Sequence, residues 1–211
     1  MANKKDLNFE TKVIHAGQKS DPTTGAVMTP IVLASTFEQS SPGVHKGYDY
    51  SRSINPTREA FENCIASLEN GVKGYGFSSG VAAISACIEL LSPGDHVIAM
   101  DDLYGGSVRL FNEIKTISQG IEVSYVDMTN VDNIKANLKE NTKMIFVETP
   151  TNPLLKIADL SKIARLAKAN KILTVCDNTF ASPFNQQPLN HGFDIVIHSA
   201  TKYLGGHSDL I

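Results

Sequence analysis

The sequence has little cysteine, no excess of basic charge and no long apolar run. Three cysteines, Cys64, Cys87 and Cys176, cannot all pair and show no C-x-x-C spacing, which argues against a disulfide framework or a zinc site and for three small core residues. The 19 Lys plus Arg are outnumbered by 22 Asp plus Glu, a net charge of -3, so the basic footprint of a nucleic-acid binder is missing. Apolar runs stay short, Ile145 to Val147 and Ile195 to Ile197 among them, far below the roughly 20 residues of a membrane span. The six histidines, His15, His45, His96, His191, His198 and His207, lack the i, i+4 spacing of helical metal ligands, and no metal is expected. The first eight residues carry positive charge with no apolar core behind it, unlike a secretory signal, so a cytoplasmic protein is expected. No G-x-G-x-x-G follows a strand-like run, which weakens a nucleotide-binding reading.

What is present falls into two parts. The stretch to about Asn55 is rich in Pro, Gly, Ser and Thr with little apolar period, and reads as an extended arm. From Pro56 onward helix and strand patterns alternate. Residues 57–69 space Phe61, Ile65 and Leu68 on one helical face, with Gly71 as a stop. Ser79-Gly80 leads into an apolar helix closed by Pro93-Gly94. Strands are then predicted at 96–100, 121–126, 143–148, 172–176 and 194–198, with helices near 108–117, 131–139 and 159–169 between them. Short apolar strands alternating with amphipathic helices predict an α/β fold, a mostly parallel sheet flanked by helices.

Working residues in such sheets gather beyond the carboxyl ends of the strands. That rule selects Asp101 and Tyr104, Glu148 through Asn152, Asp177 to Thr179, and Ser199 to Lys202. Lys202, just after a buried strand among small residues, is placed for partial desolvation, which favours a nucleophilic amine; by itself it could equally be a surface lysine capping a loop. Asp177 ends an apolar strand and needs a cationic partner. A protonated pyridine nitrogen would serve, as would an ordinary ion pair. Ser79-Gly80 opens a helix whose free N–H groups suit an anion, with Ser199 and Thr201 as further hydroxyl donors; a serine there is also a common N-cap. Tyr104, followed by two glycines, leaves room for a stacked flat ring. Tyr50 and Arg52 offer a hydroxyl and a guanidinium suited to phosphate.

Six strings carry a resemblance: Y-S-R-S-x-N-P-T-R at 50–58, S-S-G-x-A-A at 78–83, M-D-D-L-Y-G-G at 100–106, E-T-P-T-N-P at 148–153, D-N-T-F-x-S-P at 177–183 and S-A-T-K-Y-L-G-G-H-S-D at 199–209. In these strings, and in their order, the chain resembles the Cys/Met-metabolism enzymes that depend on pyridoxal 5'-phosphate, the cystathionine γ-lyase and γ-synthase group. The resemblance implies the aspartate-aminotransferase type of fold. It divides the chain into an arm, 1–57, reaching a neighbouring subunit, and part of a large cofactor-binding domain, 58–211. It further implies that Lys202 carries the cofactor covalently, that Asp177 pairs with the pyridine nitrogen and that Tyr104 stacks on the ring. Gly80, Val81, Ser199 and Thr201 would hold the phosphate, reached also by Tyr50 and Arg52 of the neighbouring arm. Asn152 would lie near the ring hydroxyl and the substrate carboxylate, and Thr179 joins the cofactor-binding set. Lys202, with Tyr104 nearby, would move the protons.

The implied assembly is a homotetramer of two catalytic dimers, and the implied activity is γ-elimination of cystathionine to cysteine, 2-oxobutanoate and ammonia. The alternatives are cystathionine γ-synthase, cystathionine β-lyase or O-acylhomoserine sulfhydrylase. Gly106 stands where methionine γ-lyases carry a cysteine, which argues against that member. The chain ends nine residues after Lys202, short of the C-terminal domain that supplies the family's arginine for the substrate carboxylate. A fragment with little turnover alone is therefore expected, and a non-catalytic assembly subunit is the rival from another class.

Overall fold

In the computed structural model of the chain, residues 7–211 are described; residues 1–6, on which the leader reading rests and with which the expected arm begins, lie outside them. The chain divides between 76 and 77 into two units, where composition places a change near Asn55 and the resemblance implies a boundary at 57/58.

The first unit holds helix α1 (Phe9–His15), a hairpin of β1 (Gln39–Ser41) and β2 (Val44–His45), and helix α2 (Pro56–Leu68). The start of α2 is written in the sequence. The Asn55 side chain accepts from the backbone N–H of Thr57 and Arg58, and Pro56 occupies the first turn, where its missing donor costs nothing. The stretch read as an extended arm is tied to this helix end. Thr57 Oγ1 donates to Pro30 O at 3.0 Å and accepts from Val32 N at 2.8 Å, and Asn55 Nδ2 donates to Val32 O at 3.1 Å. Arg58 donates to Ser51 O and Ser53 O. The buried face of α2 keeps Leu68 as expected but differs elsewhere: Phe61 is 47% exposed, Ile65 is half-buried, and Glu62 and Ala66 turn inward. Glu62 decides this, because its carboxylate Oε1 accepts from Arg58 Nε at 3.2 Å and from Gly76 N at 2.8 Å, and a buried acid faces its donors.

The second unit is built on a five-stranded parallel sheet in the order β4-β3-β5-β6-β7. These strands are β3 (His96–Met100), β4 (Glu122–Val126), β5 (Thr142–Glu148), β6 (Leu173–Asp177) and β7 (Ile195–Ile197). Every residue of β3 and all but Lys143 of β5 are buried, the near-continuous apolar reading of a sheet covered on both faces. The flanking helices are α3 (Gly80–Ile88), α4 (Gly105–Arg109) running through a π segment (Leu110–Lys115) into α5 (Thr116–Ser118), α6 (Val131–Ala136), α7 (Leu160–Ala169) and α8 (Ser182–Asn185). Asp159 caps α7 by accepting from Lys162 N at 3.0 Å. The π segment sets Phe111 edge-on against Phe146, ring centroids 5.4 Å apart. It also carries the buried Lys115 to Glu89. No helix among the described residues is long and apolar enough to cross a membrane.

The order of the strands locates the site. From β3 the chain steps to β4 on one side and returns to β5 on the other, so the loops leaving β3 and β5 diverge. A crevice opens between such loops at the carboxyl ends of the strands.

Candidate active site

Two carboxylates stand side by side where β5 and β6 end, because Glu148 and Asp177 are register partners in the parallel pair. Asp177 is buried, and burial pushes its carboxyl above the ordinary range. The hydroxyl and backbone N–H of Thr179 and the charge of His198 act in the opposite sense. The Thr179 N–H reaches Asp177 Oδ1 at 3.0 Å. Among the described residues Asp177 has no lysine or arginine partner, so it is a buried acid suited to a cation.

Glu148 is also buried, and each of its oxygens takes one backbone donor: Oε2 from Tyr104 N at 2.9 Å, Oε1 from Asn152 N at 2.9 Å. Burial pushes Glu148 up to about 8, reinforced by the nearby Asp177 and Asp102 charges and opposed by those two N–H groups. The loop beyond β5 is fixed a second time by Asp102, whose Oδ2 accepts from the Thr151 hydroxyl at 2.5 Å and from Leu154 N at 2.9 Å.

An anion site lies across from the acids. Ser79 caps α3, its Oγ accepting from Ala82 N at 3.1 Å and its carbonyl from Ala83 N at 3.1 Å. Of the first-turn donors this leaves the N–H groups of Gly80 and Val81, both lining the cavity. A Cβ on Gly80 would come within 2.9 Å of Ser199 Cβ, so only glycine lets the helix start close on the loop after β7. That loop is anchored in turn, because Ser199 N donates to Thr179 Oγ1 at 2.9 Å.

The cavity is lined wholly by second-unit residues and brings together Gly80, Val81, Tyr104, Asn152, Asp177, Thr179, Ser199, Thr201 and Lys202. Lys202, expected to be partly desolvated, is exposed. Beyond β7 the chain runs through consecutive turns, with Lys202 N bonded to Ser199 O and Gly205 N to Ala200 O, and these carry the lysine past the end of the sheet rather than into it. Tyr104 is 44% exposed, and its ring lies over Gly106, where a Cβ would meet Tyr104 Cε1 at 2.4 Å. Tyr50 and Arg52 belong to the first unit and are held to each other there. Arg52 Nη2 donates to the Tyr50 hydroxyl at 3.0 Å, and the guanidinium lies 5.3 Å from the ring centroid.

Glu148 and Asp102 stand on the rim that strand-end reasoning selects or borders, yet the sequence assigns them no role. The available signal at Glu148 is the one that marks Asp177, a carboxylate closing an apolar strand.

This donor set fits a flat aromatic cation that also bears a phosphate and a carbonyl. Asp177 can hold the ring cation, the α3 first turn with Ser199 and Thr201 the phosphate, Tyr104 a face of the ring, and the Lys202 amine the carbonyl carbon.

Comparison with known proteins points the same way. A family model described as Cys/Met metabolism PLP-dependent enzyme matches residues 10–211. A cystathionine beta-lyase of Coxiella burnetii is 58% identical over 209 residues, 99% of this chain and 54% of that protein. A cystathionine gamma-lyase of Bacillus subtilis is 50% identical over 205 residues, 97% of this chain and 54% of that protein. Among solved structures, cystathionine gamma-lyase from Lactobacillus plantarum, complexed with L-serine, superimposes with a TM-score of 0.94 at 49% identity, covering 97% of this chain and 53% of that one. The chain thus spans about half the length of the curated relatives it matches.

Proposed function

This chain belongs to the Cys/Met metabolism PLP-dependent enzymes, and from that premise we propose that the protein breaks a carbon–sulfur bond of a sulfur amino acid, by γ-elimination that converts cystathionine and one water to cysteine, 2-oxobutanoate and ammonia. One observation carries this reading: a buried, cation-seeking Asp177, the anion-binding start of α3 and the Lys202 amine line the same cavity.

When bound, pyridoxal phosphate supplies an electron sink for charge released at the substrate α-carbon. The protein's own groups do the rest. Asp177 Oδ1 and Oδ2 hold a proton on the ring nitrogen, and Thr179 fixes the rotamer of that carboxyl. The N–H groups of Gly80 and Val81, with the hydroxyls of Ser199 and Thr201, take the phosphate. Tyr104 covers one face of the ring, and Asn152 orients the ring hydroxyl and the substrate carboxylate. Lys202 Nζ would accept the α-proton and, with Tyr104 nearby, a proton from the β-carbon, and a proton is delivered to the sulfur as it leaves the γ-carbon, roles open to an exposed amine.

Tyr50 and Arg52 act on the phosphate of a neighbouring subunit, in a cytoplasmic homotetramer of two catalytic dimers. In this assembly residues 1–57 serve as the exchanged arm and the remainder as part of the cofactor domain. The existing Tyr50–Arg52 pair supports this, because it presents a hydroxyl and a guanidinium as one preformed unit. Arg52→Ala is expected to weaken cofactor retention in the dimer and leave a monomeric form unaffected. Equal loss from both would contradict a role across subunits.

A second reading, β-elimination to homocysteine, pyruvate and ammonia, is favoured by the 58% identity to a cystathionine beta-lyase. Borohydride reduction of the cofactor-loaded protein followed by peptide mapping is expected to find the label on Lys202, and Lys202→Ala to abolish it; a label on another lysine overturns the assignment. Product analysis with cystathionine then separates 2-oxobutanoate from pyruvate.

A further inference from the structure

We infer that Glu148 is a positioning residue that holds Tyr104 and Asn152, carried on two separate loops, at a fixed spacing around the cofactor ring. The inference rests on the functional reading above. It goes beyond that reading because Glu148 there neither touches the cofactor nor moves a proton.

The geometry is specific. Tyr104 follows β3 and Asn152 follows β5, on two loops that Asp102 joins at Thr151 and Leu154 but that, among the described residues, only Glu148 joins at residues 104 and 152 themselves. One carboxylate spans the gap, one oxygen to each backbone N–H, both at 2.9 Å. Its root is the last residue of β5, a strand buried almost throughout and flanked by β3 and β6. The loops are thereby referenced to the most rigid part of the sheet, a general requirement for side chains that must bracket a planar ligand. The same strand end sets Glu148 beside Asp177, so the ring's in-plane anchor and its two flanking residues share one origin. A cationic ring nitrogen at Asp177 would offset the negative charge there and favour the ionised Glu148, the form that accepts best from both donors.

The chemistry also explains the residue type. Two converging N–H donors require two acceptor oxygens. Glutamine offers one and turns an NH2 group toward an N–H, while aspartate keeps both oxygens on a stem one methylene shorter.

The test uses Glu148→Gln and Glu148→Asp in the full-length protein loaded with pyridoxal phosphate. Two quantities are read, the dissociation constant of the cofactor and the induced circular dichroism of its visible band per cofactor bound. The expected result for Glu148→Gln is cofactor retention weaker by about tenfold, the scale of one lost charge-assisted hydrogen bond, together with a reduced or altered dichroic band. A merely structural role would leave that band unchanged in whatever protein remains loaded. An unaltered band therefore overturns the positioning role, whatever happens to affinity. Should Glu148→Gln fail to fold, Glu148→Asp carries the same expectation and the same refutation. Wild-type protein that takes up no pyridoxal phosphate overturns the functional reading and this one with it. Normal uptake by wild type beside an unaltered variant band overturns this one alone.

Discussion

The two units stabilise themselves by different means. In the second, β3 and β5 are packed on both faces, and Phe111, Phe146, Ile98 and Met144 are fully buried. In the first, the buried apolar side chains among the described residues are only Ala16, Ala66 and Leu68, whereas Val27, Met28, Ile31 and Leu33 stand open to solvent, Leu33 at 89%. What orders that segment is polar: the hydroxyl, amide and guanidinium bonds converging on the start of α2. Burial can support a fold unaided, but bonds of this kind each contribute only about 1 kcal/mol net. The second unit thus rests on apolar burial and the first on hydrogen bonds, with Val27, Met28, Ile31 and Leu33 forming an exposed apolar strip.

The sharpest way to break this contrast is to truncate the centre of the sheet. Phe146→Ala should cost about 3–5 kcal/mol, the usual range for a fully buried aromatic, read from denaturant unfolding of the cofactor-free protein; a loss below 1 kcal/mol would refute the packing described for β5.

A smaller effect comes from Glu148. Its carboxyl ionises near 4.5 when unfolded and at about 8 in the fold, so between those limits the folded state binds more protons and stability declines as pH rises. The loss expected is about 1–3 kcal/mol over that span, below the full value of about 1.4 kcal/mol per pH unit, because Glu148 lines an open cavity and water can reach the ionised form. Glu148→Gln should flatten the slope, and an unchanged pH profile would remove Glu148 as its cause.

In the first unit, Asn55→Ala should cost about 1 kcal/mol through the lost cap and the lost bond to Val32, checked by thermal unfolding. Least of all, Leu33→Ala should change monomer stability by less than about 0.5 kcal/mol while weakening self-association measured by sedimentation. If Leu33→Ala matched Phe146→Ala in cost, the two units would not differ as described.

The sheet was largely legible in the sequence, because a buried parallel strand advertises itself as a short apolar run: β3 spans residues 96–100 as the pattern predicts, and Asp177 betrays itself as a charge closing such a run. The π-containing helix, α7 and the cap at Ser79 likewise follow from local signals. Seven-residue α1 has no buried residue to impose a period, so it leaves no trace. The inward turn of α2 toward Glu62 depends on Gly76, distant in sequence, and periodicity alone selects Phe61 instead. The bonds of Glu148 go to backbone N–H groups, which every residue but proline carries, so no side-chain type at 104 or 152 could announce them. Exposure of Lys202 likewise depends on how the turns after β7 are wound rather than on the composition around it.

The wide turn between α4 and α5 has one last consequence. A π turn holds one residue more than an α turn, so the stretch from 105 to 118 is a helix carrying a single surplus residue. Deleting one of residues 110–114 would let it close as an ordinary helix with everything downstream near its present phase, whereas a second inserted residue would swing the downstream part by about 100° around the axis, carrying Lys115 off Glu89 and the Thr116 hydroxyl off Phe111 O. Tolerance to a lost residue is therefore greatest where the helix already looks irregular, and a one-residue gap there would disturb the helix phase less than a comparable gap in the regular α7.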